Sequence, residues 1–353
     1  MTRIPIYRPM LGEEEKKNLV DCVDREWLTG GKYVKEFEQR IVGICGVKHA
    51  VACSNGTTAL YLGLLAMGIG KGDEVIVPDF TFIASANAVT WTGAKPIFCD
   101  VDKTLNIDIK LIEKCITAKT KAIMPVHIYG LACDMDGISV LAQKYGLKVI
   151  GDACQGIGVN YKGKPVSSFG DVNAMSFYAD KTITSGEGGM VLTNDESVAK
   201  KCLILKHQGR TGRGWYIHDE IGYNFRMTDM QAAIGVAQLG KLDMIVSLKR
   251  QHDILYRRLL NWAEMTEYNA ESVPFRHNIF VENPDSLIKY LDAHNVEAKR
   301  VFYPLHRQPC YNVGGNFPNT EYAYEHGVSL PSSPLLKSTE INYICDKIKD
   351  FYR

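Results

Sequence analysis

The chain has 353 residues, 46% of them hydrophobic and 23% charged, the ordinary balance of a globular protein. Its formal net charge is +1 with no block of like charge, which argues against nucleic acid or an anionic membrane as a partner. The length passes the roughly 250–300 residues at which a single core stops growing, so a large domain over 1–240 and a small one over 241–353 are expected.

The first residues, MTRIPIYRPMLGEEE, lack the apolar stretch of a signal peptide, and no apolar run approaches a membrane span. Segment 1–12 is expected to pack near the small domain. From about residue 48, short apolar runs alternate with helical periods. Strands are predicted at 50–53, 74–77, 96–100, 121–126, 148–152, 172–177 and 189–193, with helices such as 57–68 and 135–146 between them. That alternation implies an α/β fold with a mainly parallel sheet covered on both faces. In such sheets, ligands bind beyond the carboxyl ends of the strands. A helix over 228–250 is predicted to bridge to a second unit, where HNIFVEN, PDSLIKYLDAHN and VEAKRVFY read as strand, helix and strand. A last helix is predicted from Thr339 to Tyr352. Ten cysteines are scattered with no CxxC pair and no metal-like Cys/His spacing, the pattern of buried thiols in a reducing compartment. A cytoplasmic protein without a metal centre is expected.

Three strand ends carry candidate chemistry. In SNGTTAL (54–60), a glycine and two threonines open a helix, whose free backbone amides favour an anion such as phosphate. The same residues also suit a plain helix cap with no ligand. In VIGDACQG, Asp152 ends a buried strand, where a carboxylate needs a cation or a donated hydrogen bond; capping the next turn is the alternative. Gln155 follows three residues on, able to reach the same ligand or to face solvent. Lys181, within SFYADKTITSGEGGMVLT, follows an apolar run and precedes a glycine-rich turn. A desolvated lysine there is a nucleophile toward carbonyls, whereas an exposed one is a solvated surface cation. Phe82, after the EVIVP run, is placed either to stack on a ring or to pack a helix. A phosphate cradle, a carboxylate and an amine at neighbouring strand ends are the parts that hold pyridoxal 5′-phosphate, the carboxylate keeping its pyridine nitrogen protonated.

The chain resembles the sugar aminotransferases of the DegT/DnrJ/EryC1/StrS family over nearly its whole length. The resemblance is carried by WLTGGKYVKEFE (27–38), SNGTTAL (54–60), VPDFTFIASANAV (77–89), PVHIYG (125–130), GDACQG (151–156), SFYADKTITSGEGGMVLTND (176–195), GYNFRMTDMQAAIGVAQL (222–239), FYPLHRQP (302–309) and SLPSSP (329–334). It implies the fold type I (aspartate aminotransferase-like) architecture of pyridoxal-phosphate enzymes, a large domain with a mainly parallel sheet plus a smaller C-terminal α/β domain. It also implies Lys181 as the catalytic Schiff-base lysine and Asp152 as the partner of the pyridine nitrogen. Gln155 would meet the cofactor's phenolic oxygen, Gly56, Thr57 and Ser176 its phosphate, and Phe82 its ring face. Asn224 matches a position that reaches the cofactor phosphate of the neighbouring subunit, implying a homodimer with shared active sites. Arg226 and His306 fall in motifs that line the substrate side. Gly151 stands where most relatives carry an acid, a departure expected to alter local packing and leave Asp152 its role.

Retention of Lys181 points away from the branch that dehydrates sugars, which has histidine there. The wording around it most resembles the branch making 4-amino-4,6-dideoxy sugars of perosamine or viosamine type. The implied reaction moves the amino group of L-glutamate to C4 of a nucleotide-linked 4-keto-6-deoxyhexose, with pyridoxamine 5′-phosphate as the carrier and 2-oxoglutarate released. The nucleotide stays open among GDP, UDP and dTDP. A cofactor-dependent sugar dehydratase or epimerase, and a non-catalytic regulatory relative that keeps the cofactor, are the alternatives.

Overall fold

A computed structural model describes residues 2–212 and 216–353. Its centre is a seven-stranded sheet of β1 (His49–Cys53), β2 (Glu74–Pro78), β3 (Lys95–Cys99), β4 (Thr120–Ile123), β5 (Lys148–Asp152), β6 (Val172–Ser176) and β7 (Gly189–Thr193). The spatial order is β1-β7-β6-β5-β4-β2-β3. Pairs β6/β5, β5/β4, β4/β2 and β2/β3 are parallel, while β7 runs antiparallel to both β6 and β1. All seven predicted runs are strands, so the apolar pattern was a sufficient signal there.

The sheet is buried on both faces because alternate residues feed two cores. Val51, Ala174 and Val191 pack with Leu60, Leu62 and Leu64 of the Gly56–Ala66 helix on one side. Ala52, Met175, Met190 and Leu192 pack with Phe37 and Ile41 of the Lys32–Cys45 helix on the other. Fully buried strands such as β7 follow from this two-sided packing.

The single helix expected over 228–250 is two, Asp229–Leu239 and Leu242–Leu259. The break falls at Gly240 and Lys241, where glycine is a weak helix former. Tertiary contacts also draw the chain aside there: Lys241 Nζ binds Glu15 at 2.6 Å, and Gln238 donates to Met10 O at 2.7 Å. Beyond it stands a four-stranded antiparallel sheet of β8 (Glu264–Met265), β9 (His277–Phe280), β10 (Lys299–Arg300) and β11 (Gly327–Leu330), in the order β8-β9-β11-β10. Of VEAKRVFY only Lys299 and Arg300 are strand; β8 and β11 were not predicted. The chain's start is fastened to this sheet's core. Ile4 N donates to Asn295 O at 2.8 Å, Glu297 N donates to Ile4 O at 2.9 Å, and the Ile4 side chain is buried with Leu287, Leu291 and Val328.

Gly151 has a packing reason. A Cβ at this position would collide with Oδ1 of Asn173 on the adjoining strand β6. Asn173 is itself fixed by donating to Ser167 O at 3.0 Å and Phe169 O at 2.6 Å. Gly151→Glu is therefore expected to destabilise the chain by about 1–3 kcal/mol through overpacking. Removing the obstacle with Asn173→Gly should recover part of that loss, since contacting residues couple. Thermal melts of both single variants and the double variant check this; an unshifted Gly151→Glu melt would refute it.

Candidate active site

The carboxyl ends of β5 and β6 and the start of the Gly56–Ala66 helix enclose a cavity of about 680 Å³. Gly56, Thr57, Phe82, Asp152, Gln155, Ser176 and Lys181 all line it, so the structure gathers seven of the ten predicted site residues.

The expected anion cradle lies at the turn after β1. Asn55 caps the helix, its Oδ1 accepting from Thr58 N at 2.9 Å while Asn55 N donates to Thr58 Oγ1 at 3.2 Å. That reciprocal cap uses the amide of Thr58 and leaves those of Gly56 and Thr57 without intrahelical acceptors. Glycine at 56 is required by contact rather than by φ. A Cβ there would lie 2.7 Å from Ser176 Cβ and 2.9 Å from Cys154 Sγ. The helix start thus closes directly on the end of β6.

Asp152 is 6% exposed. Its Oδ2 accepts from Ser85 Oγ at 2.7 Å and its Oδ1 from Cys154 N at 3.1 Å. Thr81 Oγ1 extends the chain, 3.1 Å from Ser85 Oγ. Two donated hydrogen bonds hold the carboxylate in place beneath the cavity floor. Gln155 is oriented by Tyr129 N, which donates to its Oε1 at 2.6 Å. Its amide NH₂ is then left available as a donor.

Lys181 sits in the turn after β6, its backbone N donating to Tyr178 O at 3.0 Å. Its Nζ lies 4.7 Å from the centre of the Phe275 ring and has no hydrogen-bonded or ion-paired acceptor among the described residues. Arg276 reaches the same wall and forms an ion pair with Asp180, the residue before the lysine. Glu187, of the GEGG turn, also lines the cavity, and partial desolvation raises its carboxyl pKa. Phe82 is 57% exposed and leans on Phe302, ring centres 6.1 Å apart.

Asn224, Arg226 and His306 are not in the wall of this cavity. Asn224 is exposed and bridges to His207 in backbone pairing. Arg226 Nη1 is 2.9 Å from His207 Nδ1. His306 is buried, with its backbone N on Asp79 Oδ1 at 2.7 Å, its Nδ1 2.6 Å from Asp79 Oδ2, and its ring stacked on Phe317. Within one chain it is a packing and hydrogen-bonding residue, not one that faces the cavity. Conversely Ser85, Tyr129, Phe275 and Arg276 were not predicted. Ser85 and Tyr129 lie inside quoted motifs, but nothing local marks one side chain in a motif over another. Phe275 and Arg276 arrive from a segment almost a hundred residues downstream of Lys181. Among the described residues no cluster of side chains suited to a metal ion occurs, and no helix is long and apolar enough to cross a membrane.

The donor set fits pyridoxal phosphate: a helix start for the phosphate, a fixed carboxylate for a pyridinium, an unpaired amine, and aromatic faces. Comparison with known proteins agrees with that chemistry. The profile of the DegT/DnrJ/EryC1/StrS aminotransferase family matches residues 9–349. The chain is 43% identical over 363 residues to the GDP-perosamine synthase of Escherichia coli O157:H7, covering 100% of this chain and 99% of that protein. Identity to the Vibrio cholerae GDP-perosamine synthase is 40%, covering 99% of each chain. Among solved structures, the PLP form of Spr1654 from Streptococcus pneumoniae superposes with a TM-score of 0.94 at 28% identity, over 99% of this chain and 98% of that one.

Gly56→Ala is expected to weaken binding of a phosphate monoester by about 1–2 kcal/mol, roughly tenfold. The added methyl must displace Ser176 or Cys154 from the cradle. Calorimetric titration measures this, and unchanged affinity would remove the helix start from the binding site.

Proposed function

Because the chain belongs to the DegT/DnrJ/EryC1/StrS aminotransferase family, we propose that it is a GDP-perosamine synthase. It would transfer the amino group of L-glutamate to C4 of a GDP-linked 4-keto-6-deoxyhexose. The identity to two GDP-perosamine synthases across essentially the full chain supports the sugar and its nucleotide. The observation that carries the reading is the convergence of Lys181 Nζ, the Asp152 carboxylate and an uncommitted helix start on one cavity.

When bound, pyridoxal phosphate supplies a protonated pyridine ring that stabilises negative charge on the adjoining carbon. Gly56, Thr57 and Ser176 would hold its phosphate, and Phe82 would cover its ring. Gln155 would donate to the phenolic oxygen through the NH₂ that Tyr129 leaves available. Asp152 would hold the proton on the pyridine nitrogen, and Ser85 and Cys154 N keep that carboxylate from rotating away. Lys181 Nζ would take the proton from the α-carbon of glutamate and deliver it to the carrier carbon. In the second half-reaction it would run the same transfer in reverse toward C4 of the sugar. Nothing among the described residues ties down Nζ, so it is free to act as this base. Positioned acid–base groups contribute about 10²–10⁴-fold.

With [¹⁵N]glutamate and a GDP-4-keto-6-deoxyhexose, the product should carry ¹⁵N at C4. Lys181→Ala should lose at least about 10²–10⁴-fold of the rate while still binding pyridoxamine phosphate. A product dehydrated without nitrogen, or an active Lys181→Ala variant, overturns the reading.

Asn224 is exposed and away from its own cavity, which suits a residue that serves a second copy's phosphate site. A homodimer with shared sites is therefore part of the proposal. Mixing Asn224→Ala with Lys181→Ala subunits should restore about a quarter of wild-type activity, the statistical share of intact sites when three inactive combinations accompany each active one. Absence of recovery, once mass spectrometry shows that subunits have exchanged, contradicts the shared site.

A further inference from the structure

We propose that Lys249 is a positioning residue for Lys181, clamping the Pro274–Arg276 segment and the N-terminal strap against the turn that carries the catalytic amine. Lys249 lies on the Leu242–Leu259 helix and is 0% exposed. Its Nζ is 3.2 Å from Pro274 O, 3.4 Å from Phe275 O and 3.1 Å from Ser332 O. Three carbonyls match the three N–H bonds of an ammonium. No carboxylate pairs with it among the described residues. A wholly buried lysine is rare, and an apolar side chain of similar length would fill the same volume without the desolvation cost. The cage is what the ammonium adds.

Two routes lead from this cage to Lys181. Through Phe275, the clamped backbone sets the ring whose face lies 4.7 Å from Lys181 Nζ. The Arg276 guanidinium stacks 4.4 Å from that ring and pairs with Asp180, next to the lysine in sequence. Through Tyr7, Lys249 Nζ lies 5.4 Å from the phenol ring, and the Tyr7 hydroxyl donates to Lys181 O at 2.7 Å. Ser332 N donates to Ile6 O at 2.9 Å, so the strap and the third carbonyl of the cage are held together. The cage therefore grips the lysine's backbone from one side and the environment of its amine from the other. Burial, then the neighbouring Arg276 charge, lower the Lys249 pKa to about 7, with Asp180 opposing. His252, His277 and Tyr7 are further titratable neighbours of Lys249.

The inference rests on Lys181 carrying pyridoxal phosphate. The test compares wild type, Lys249→Met, Tyr7→Phe and the double variant, each loaded with pyridoxal phosphate. It reads the circular dichroism induced in the cofactor's visible band per bound cofactor, together with kcat and KM, well below each melting temperature. Lys249→Met should lose visible dichroism and about tenfold or more in kcat, with KM for glutamate little changed, because misplacing a reacting group by an ångström costs up to about 10²-fold. Tyr7→Phe should shift both readouts the same way and less. The double variant should be no worse than Lys249→Met, as expected for residues acting through one connection. A Lys249→Met variant that only melts earlier, with wild-type dichroism and kcat, overturns the proposal. If Lys249→Met does not fold, wild-type dichroism and kcat in Tyr7→Phe overturn it instead. A wild-type chain that shows no visible band with pyridoxal phosphate fails at the earlier step, the assignment of Lys181, and so is told apart from failure of the clamp.

Discussion

The closeness of the Gly56–Ala66 helix start to the end of β6 governs the rest of the site. Only a glycine at 56 lets that backbone reach Ser176 and Cys154 without collision. The contact does two things at once. It aims free amides into the cavity, and it fixes their position relative to β5 and β6, whose ends carry Asp152 and lead to Lys181. A parallel sheet makes such an arrangement available, because successive strands finish on one edge. The antiparallel β7 completes it from the other side, since its first residue, Gly189, packs against the backbone of Asn55 and Gly56. Two glycines far apart in sequence thus shape one cradle.

Electrostatics within the cavity are mostly settled by pairing. Arg276 is matched by Asp180, and Asp152 is held by neutral donors instead of a cation. That difference has a chemical consequence. A carboxylate already paired with arginine has little attraction left for a second cation, whereas neutral hydroxyl and amide donors leave room for the pyridinium proposed for Asp152. Among the described residues no acceptor engages Lys181 Nζ, which suits the changing bonding proposed for this amine.

The strands, and the gathering of Gly56, Thr57, Asp152, Gln155 and Lys181 at their ends around one cavity, were legible in the sequence because each depends on local signals: an apolar run, a glycine, a polar residue at its end. The predicted bridge over 228–250 failed because its pattern stays helical through Gly240, and only contacts with Met10 and Glu15, more than two hundred residues away, turn the chain there. Ser85, Phe275 and Arg276 were missed for the same reason. Their importance lies in what they touch, and no periodicity encodes that. Asn224, Arg226 and His306 show the converse. The resemblance set Arg226 and His306 on the substrate side, while in a single chain His207 and Asp79 engage them, and Asn224, expected at a neighbouring subunit's phosphate, faces outward.

Gly151 and Asn173 show the same dependence on contacts that lie outside the local sequence. The volume a side chain at 151 would need is occupied by an asparagine from the next strand, whose amide ties down the carbonyls of Ser167 and Phe169. Reading Gly151 alone suggests a lost acid. Read together, Asn173 of β6 supplies the polar side chain that fills the space a residue at 151 would need. Asp152, one residue on, points to the opposite face of the sheet by the alternation of strand side chains, so Asn173 packs on the face away from Ser85. The packing of Asn173 on one face of β5 is thereby separated from Asp152 and its hydrogen bonds on the other.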